Sequence, residues 1–138
     1  MIPATPYFLQ FLWSDGRMDE LVGAWRLVSF RTTDAGGGTD PLGASPSGLL
    51  VYAATGHVAV NMMRTDKEGG TRYMSYAGTW RREQERVVHT ISVAPDRRWI
   101  GLDQVRDVEL VGDRLLLSGR GPSTHAERST LEWQRITS

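Results

Sequence analysis

Cysteine is missing from all 138 residues, which excludes disulfides, thiolate nucleophiles and cysteine-based zinc sites. Lysine is nearly missing as well: of 16 basic residues only Lys67 is a lysine, and the rest are arginine. That bias fits GC-rich codon usage, and so a bacterial source, better than it fits any mechanism. Net charge is also lacking, since 16 acidic residues cancel the basic ones. No long-range field therefore draws the chain to nucleic acid or to an anionic membrane. No stretch approaches the ~20 apolar residues that cross a bilayer. The apolar N-terminal run Met1 to Trp13 has neither the basic start nor the small-residue cleavage site of a secretory signal. A soluble, cytoplasmic protein with no membrane partner is expected.

Helical periodicity is the other absence. What stands in its place is a series of short runs rich in Val, Leu, Thr, Trp and Tyr, broken by Gly, Pro and Asp. Eight strands are expected, over 24–33, 48–54, 57–64, 75–82, 86–93, 102–110, 114–119 and 128–135. Ala54-Thr55-Gly56 and Gly112-Asp113 read as tight hairpin turns. Such spacing gives an all-β, antiparallel, up-and-down meander. With no covering helices its two edges stay exposed unless the sheet closes into a barrel; a β-sandwich is the alternative. The segment from Gly36 to Ser47 and that from Thr65 to Arg72 read as long loops at the barrel rims. Asp19 to Val22 can form one short helical turn at an end. Residues 18–138 form the domain, and 1–17 an extension that is either a lid or a disordered tail.

Gly23-Ala24-Trp25 opens the first strand with Gly-x-Trp. That pattern resembles the lipocalin signature, in which the Trp plugs the closed end and an Arg from near the C-terminus covers it. Arg135 is the matching position, and an Arg over an indole face is favourable. The likeness extends through Leu21–Phe30, Pro41-Leu42-Gly43, Thr55-Gly56-His57, Asn61–Arg64 and Tyr76–Trp80. It continues through Trp99-Ile100-Gly101, Gln104-Val105-Arg106, Gly112–Leu115 and Leu131-Glu132-Trp133. In this order the chain is similar to the bacterial and fungal lipocalin-like domain family. The resemblance implies a closed eight-stranded barrel with Gly23, Trp25 and Arg135 as structural residues. It leaves function open, because some such barrels act as cofactor-free cyclases in natural-product biosynthesis while classical lipocalins are carriers.

Strand alternation assigns the interior face. Val87, His89, Ile91 and Val93 form one inward set. Gln104, Arg106, Val108 and Leu110 form another, with Tyr76, Gly78 and Trp80, and with Leu131 and Trp133. In 57–64 the choice lies between Val58, Val60 and Met62 and the set His57, Ala59, Asn61 and Met63. The small Ala59 favours the second set as cavity lining. The expected pocket is therefore apolar, with His89, Arg106 and Tyr76 as candidate catalytic groups. Asn61, Met63, Trp80, Ile91, Gln104 and Trp133 are the candidate ligand contacts. A buried Arg106 needs a partner, and a ligand carboxylate, enolate or carbonyl would serve. Each has a plainer alternative: a satisfied core histidine, an arginine bracing the barrel end, aromatics that only pack. His57 and His125 read as solvated.

No His/Asp/Glu set has metal-ligand spacing. Gly36-Gly37-Gly38 is not followed by the Gly-Lys of a phosphate loop, and no Gly-x-Ser-x-Gly elbow is present. No metal and no cofactor are expected. The remaining possibilities are a cofactor-independent cyclase or isomerase, a non-catalytic carrier of a small hydrophobic molecule, or a barrel packed solid.

Overall fold

Short runs of β-branched and aromatic residues joined by tight polar turns favour hairpins over other local structure. In the computed structural model, which describes residues 19–34, 36–66, 72–120 and 128–137, they form one antiparallel sheet. Its strands are β1 (Gly23–Asp34), β2 (Gly37–Thr39), β3 (Ser47–Tyr52), β4 (His57–Met63), β5 (Tyr73–Glu83), β6 (Arg86–Val93), β7 (Asp103–Val111), β8 (Arg114–Gly119) and β9 (Arg128–Arg135). From β3 to β9 each strand pairs with the next in sequence, and β1 pairs with both β3 and β9. The sheet therefore closes as an eight-stranded up-and-down barrel. The remaining strand, β2, lies within the segment expected as loop and pairs only with the end of β1. A 3-10 turn at Arg97–Trp99, capped by the Asp96 carboxylate, sits between β6 and β7. The turn expected at 19–22 is present as a single hydrogen-bonded turn, with Val22 N–H donating to the Asp19 carbonyl.

The connections sort by length onto the two ends. The short turns after β3, β5 and β7 lie at one end with the start of β1. The longer connections after β1, β4, β6 and β8 lie at the other, which is the mouth. The extension 1–17 lies outside the described residues.

Two bulges reset the alternation. In β1 the register shifts between Leu27 and Ser29. Trp25 and Leu27 point inward before the shift, and Phe30 and Thr32 after it. Between β5 and β6 the pairs Gly78–Ile91 and Ala77–Val93 leave Ser92 as an extra residue. That extra residue turns Val93 outward, contrary to the expected inward set, and leaves it 65% exposed. Gly78 permits this, because a Cβ there would overlap the Thr90 carbonyl oxygen. The face of β4 is also the reverse of the one favoured. Val58, Val60 and Met62 are buried, while Asn61 and Met63 are exposed. The larger apolar set takes the interior because it removes more apolar area from water than Ala59 and Asn61 would.

Trp25 fills the closed end and is fully buried, its indole N–H donating to the Leu21 carbonyl at 3.0 Å. The Arg135 guanidinium carbon lies 4.3 Å from the Trp25 ring centroid. Its Nη1 donates to the Val22 carbonyl and its Nη2 to that of Glu20. Gly23, at φ +138°, leaves the space, since a Cβ there would stand 3.1 Å from Arg135 Nη1. Replacing Arg135 by Leu removes the stacking and leaves two carbonyls without their donors. The expected loss is about 1–3 kcal/mol in urea unfolding followed by tryptophan fluorescence. An unchanged midpoint contradicts this account of the plug.

Candidate functional site

With the closed end filled by Trp25, the mouth-side interior remains open as a cavity of about 220 Å³. Its apolar wall comes from Phe30, Leu50, Val60, Met62, Leu117 and Leu131, on five different strands. Pro41, Arg72 and Trp99 border it from the mouth-side connections. An apolar cavity of roughly 150 Å³ already accommodates benzene, so a one- or two-ring molecule fits.

One side of the cavity is polar, and its groups form a chain. His89 on β6 is 1% exposed and pairs across the sheet with Gln104 on β7. The Tyr52 hydroxyl lies 2.6 Å from His89 Nε2, and the Tyr76 hydroxyl 2.5 Å from Nδ1. Gln104 Nε2 in turn donates to the Tyr76 oxygen at 3.4 Å. Burial, with a further push from the Arg106 charge, lowers the His89 pKa to about 3. The ring is therefore neutral and carries one N–H. Burial raises the phenols too, Tyr52 well above its ordinary value and Tyr76 to about 12.

These protonation states fix a direction for the chain. Tyr52 is fully buried and has no other acceptor among the described residues, so its O–H donates to His89 Nε2. The ring hydrogen then sits on Nδ1 and donates to the Tyr76 oxygen. This tautomer is assigned from the hydrogen-bond network. It leaves the Tyr76 O–H free for an occupant of the cavity. Gln104 Oε1 and Trp133 Nε1, on two other cavity-lining residues, are buried without a partner among the described residues. Unmade hydrogen bonds at buried groups cost about 1–3 kcal/mol each.

Arg106, two residues beyond Gln104 on the same face of β7, completes the polar side. It is 6% exposed. Its Nη1 donates to the carbonyls of Val105 and Arg120, at 3.0 and 2.9 Å. Gly119 makes room for this reach, because a Cβ there would stand 3.1 Å from Nη1 and 2.7 Å from the Val105 carbonyl. Burial lowers the Arg106 pKa, yet a guanidinium keeps its proton in proteins. No Asp or Glu lines the cavity among the described residues. No group of three His, Asp or Glu among those residues lies close enough to hold a metal ion.

Among the expected contacts, Tyr76, His89, Gln104, Arg106 and Trp133 all border the cavity. Trp80 and Ile91 are buried but do not line it. Trp80 packs on Tyr52 with ring centroids 4.7 Å apart and donates to the Ala53 carbonyl at 3.0 Å. Asn61 and Met63 are corrected to the outer surface, where Asn61 accepts from the Tyr73 hydroxyl. His57 is exposed, as expected, and bonds Thr55 beside its turn; His125 lies outside the described residues.

The family profile described as "Lipocalin-like domain" matches residues 22–72 and 66–136. This chain belongs to the lipocalin-like domain family. Two solved structures with TM-scores of 0.50 and 0.51 share the fold. An uncharacterized protein from Bacteroides eggerthii is 14% identical over 85% of this chain and 100% of its own, with a TM-score of 0.51. A redesigned β-barrel is 16% identical over 85% and 92%, with a TM-score of 0.50. A lipocalin-like protein from Bacteroides uniformis is 16% identical over 86% and 100%, at 0.48. No curated protein matches.

In this lipocalin-like barrel the residues that sequence reasoning passed over are Tyr52, Gly119 and most of the apolar wall. Tyr52 ends a strand whose two faces are both apolar, so alternation alone does not select it. Only its pairing with His89 gives it a role.

The buried His89 makes stability depend on pH. Unfolded, the ring titrates at its ordinary 6.5; folded, at about 3. Between these values the unfolded chain holds one proton more, so stability falls on acidification by up to about 1.4 kcal/mol per pH unit. Urea unfolding from pH 7 to 4 should show a slope shallower by about that amount in His89→Gln than in wild type. Equal slopes contradict a neutral buried His89.

Proposed function

We propose that the barrel binds one small, largely apolar molecule in its mouth-side cavity, with the molecule's polar end turned to Tyr76, Gln104 and Arg106. The observation that carries this reading is the pairing of an apolar-walled void with buried polar atoms that lack partners among the described residues. A barrel packed solid for stability alone has no use for either. Membership of the lipocalin-like family supports the same reading. Mostly apolar walls with a few convergent hydrogen-bonding groups are the usual make-up of a small-molecule pocket.

Within it, a finer reading is a cofactor-independent cyclase or isomerase, and the free O–H of Tyr76 is the feature that favours it. Aimed at a carbonyl, such a donor stabilises charge that develops on oxygen, while the walls hold the substrate in a reactive shape. His89, with a pKa of about 3, is too weakly basic to take a proton near neutral pH. Its part is to orient the Tyr76 hydroxyl. A carrier would use the same contacts without the chemistry.

The test is native mass spectrometry of protein from its own host, with solvent extraction of what is bound and chromatography after incubation. Wild type should carry a stoichiometric small molecule, and Leu117→Trp, which fills the cavity, should not. A product of unchanged mass but different retention marks an isomerase or cyclase; an unchanged compound marks a carrier. Identical, empty spectra for both proteins, with no uptake of added apolar compounds, contradict the binding reading.

A further inference from the structure

The cavity's charge is unbalanced although the chain's is not. Of the residues lining it, Arg72 at the mouth and Arg106 within carry positive charge, and no Asp or Glu among the described residues answers them. Tyr52, Tyr76 and His89 are neutral, so none supplies an anion. Arg106 is the telling one, because it is buried. An uncompensated buried charge is costly, and backbone carbonyls relieve the hydrogen-bonding deficit without cancelling the charge.

The manner in which Arg106 is held specifies what it lacks. A guanidinium offers five N–H donors in a planar fork. Both hydrogens of Nη1 are taken by the Val105 and Arg120 carbonyls. The Nε–H and Nη2–H edge has no partner among the described residues. That edge presents two parallel donors, the arrangement that meets both oxygens of a carboxylate. Gly119 and the carbonyls of Val105 and Arg120 hold Nη1 to the barrel wall, so the free edge is fixed in place before any ligand arrives.

We infer that the molecule bound in the cavity is an anion, a one- or two-ring compound ionised at a carboxylate or at a comparably planar oxyanion, docked on the Nε/Nη2 edge of Arg106. This rests on the cavity being a binding site, and it adds the chemical class. Gln104 Oε1, an acceptor without a partner among the described residues, suits a hydroxyl or N–H on the same ligand, and Trp133 Nε1 suits a second oxygen. Arg72 draws the anion to the mouth.

The experiment is isothermal titration calorimetry at pH 7 on wild type and Arg106→Gln. The probes are 2-naphthoate, 2-naphthamide and naphthalene, which share a ring system and differ in charge. Wild type should bind naphthoate about tenfold or more tighter than naphthamide, the scale of a charge-assisted hydrogen bond. In Arg106→Gln that preference should vanish while the amide still binds. Equal binding of acid and amide by wild type overturns the anion inference and leaves small-molecule binding standing. Binding of none of the three overturns both. A preference that persists undiminished in folded Arg106→Gln takes the role away from Arg106. If Arg106→Gln does not fold, the wild-type ratio of acid to amide decides by itself.

Discussion

Strand β1 pairs with β3 over its first residues and with β9 over most of its length, and this double pairing is the constraint from which the interior follows. An open meander of these strands would present two unpaired edges and could not enclose a volume. Serving two neighbours requires a long strand, and a long strand in regular alternation would carry some apolar residues to the wrong face. The bulge at Val28 resolves the conflict, keeping Trp25 and Leu27 inward on one side and Phe30 and Thr32 inward on the other. At the closed end Trp25, held by Arg135 and the Leu21 carbonyl, takes the space that the converging strands leave.

Because the plug fills one end, the open volume and the polar groups share the other half. There the energetics change character. The apolar wall stabilises by burial, whereas His89, Gln104 and Arg106 oppose folding unless each donor and acceptor is met. Tyr52 and Tyr76 meet the histidine, and backbone carbonyls meet one nitrogen of the arginine. Among the described residues, what stays unmet is concentrated at the cavity: the Tyr76 O–H, Gln104 Oε1, Trp133 Nε1 and one edge of Arg106. Strain of this kind, confined to one place in an otherwise well-satisfied core, is the physical mark of a site.

Much of the barrel was legible in the sequence because its strands are short, its turns carry Gly and Asp, and the Gly-x-Trp opening fixes the first of them. Alternation worked where one face is clearly polar, as in β7, where Asp103, Asp107 and Glu109 point out and Gln104 and Arg106 in. It failed where both faces are apolar or where a bulge intervenes. Asn61 and Met63 were expected inside because Ala59 is small, but burial of Val58, Val60 and Met62 outweighs that. Val93 was lost to the extra residue at Ser92. Tyr52 was invisible because its role comes from a strand far away in sequence, and Gly119 because its role is to leave room for Arg106.

The central claim is that the mouth-side interior is an accessible apolar cavity rather than a filled core, and xenon tests it without any assumption about the natural ligand. Xenon binds against apolar cavity walls, here those of Phe30, Leu50, Val60, Met62, Leu117 and Leu131. In ¹H–¹⁵N spectra recorded under xenon, the Trp133 indole signal should shift, since its N–H has no partner among the described residues and sits on a cavity-lining side chain. The Trp25 indole, bonded to Leu21 at the closed end, should stay in place. A Trp133 signal that does not move, or indoles that all move alike, would contradict the cavity.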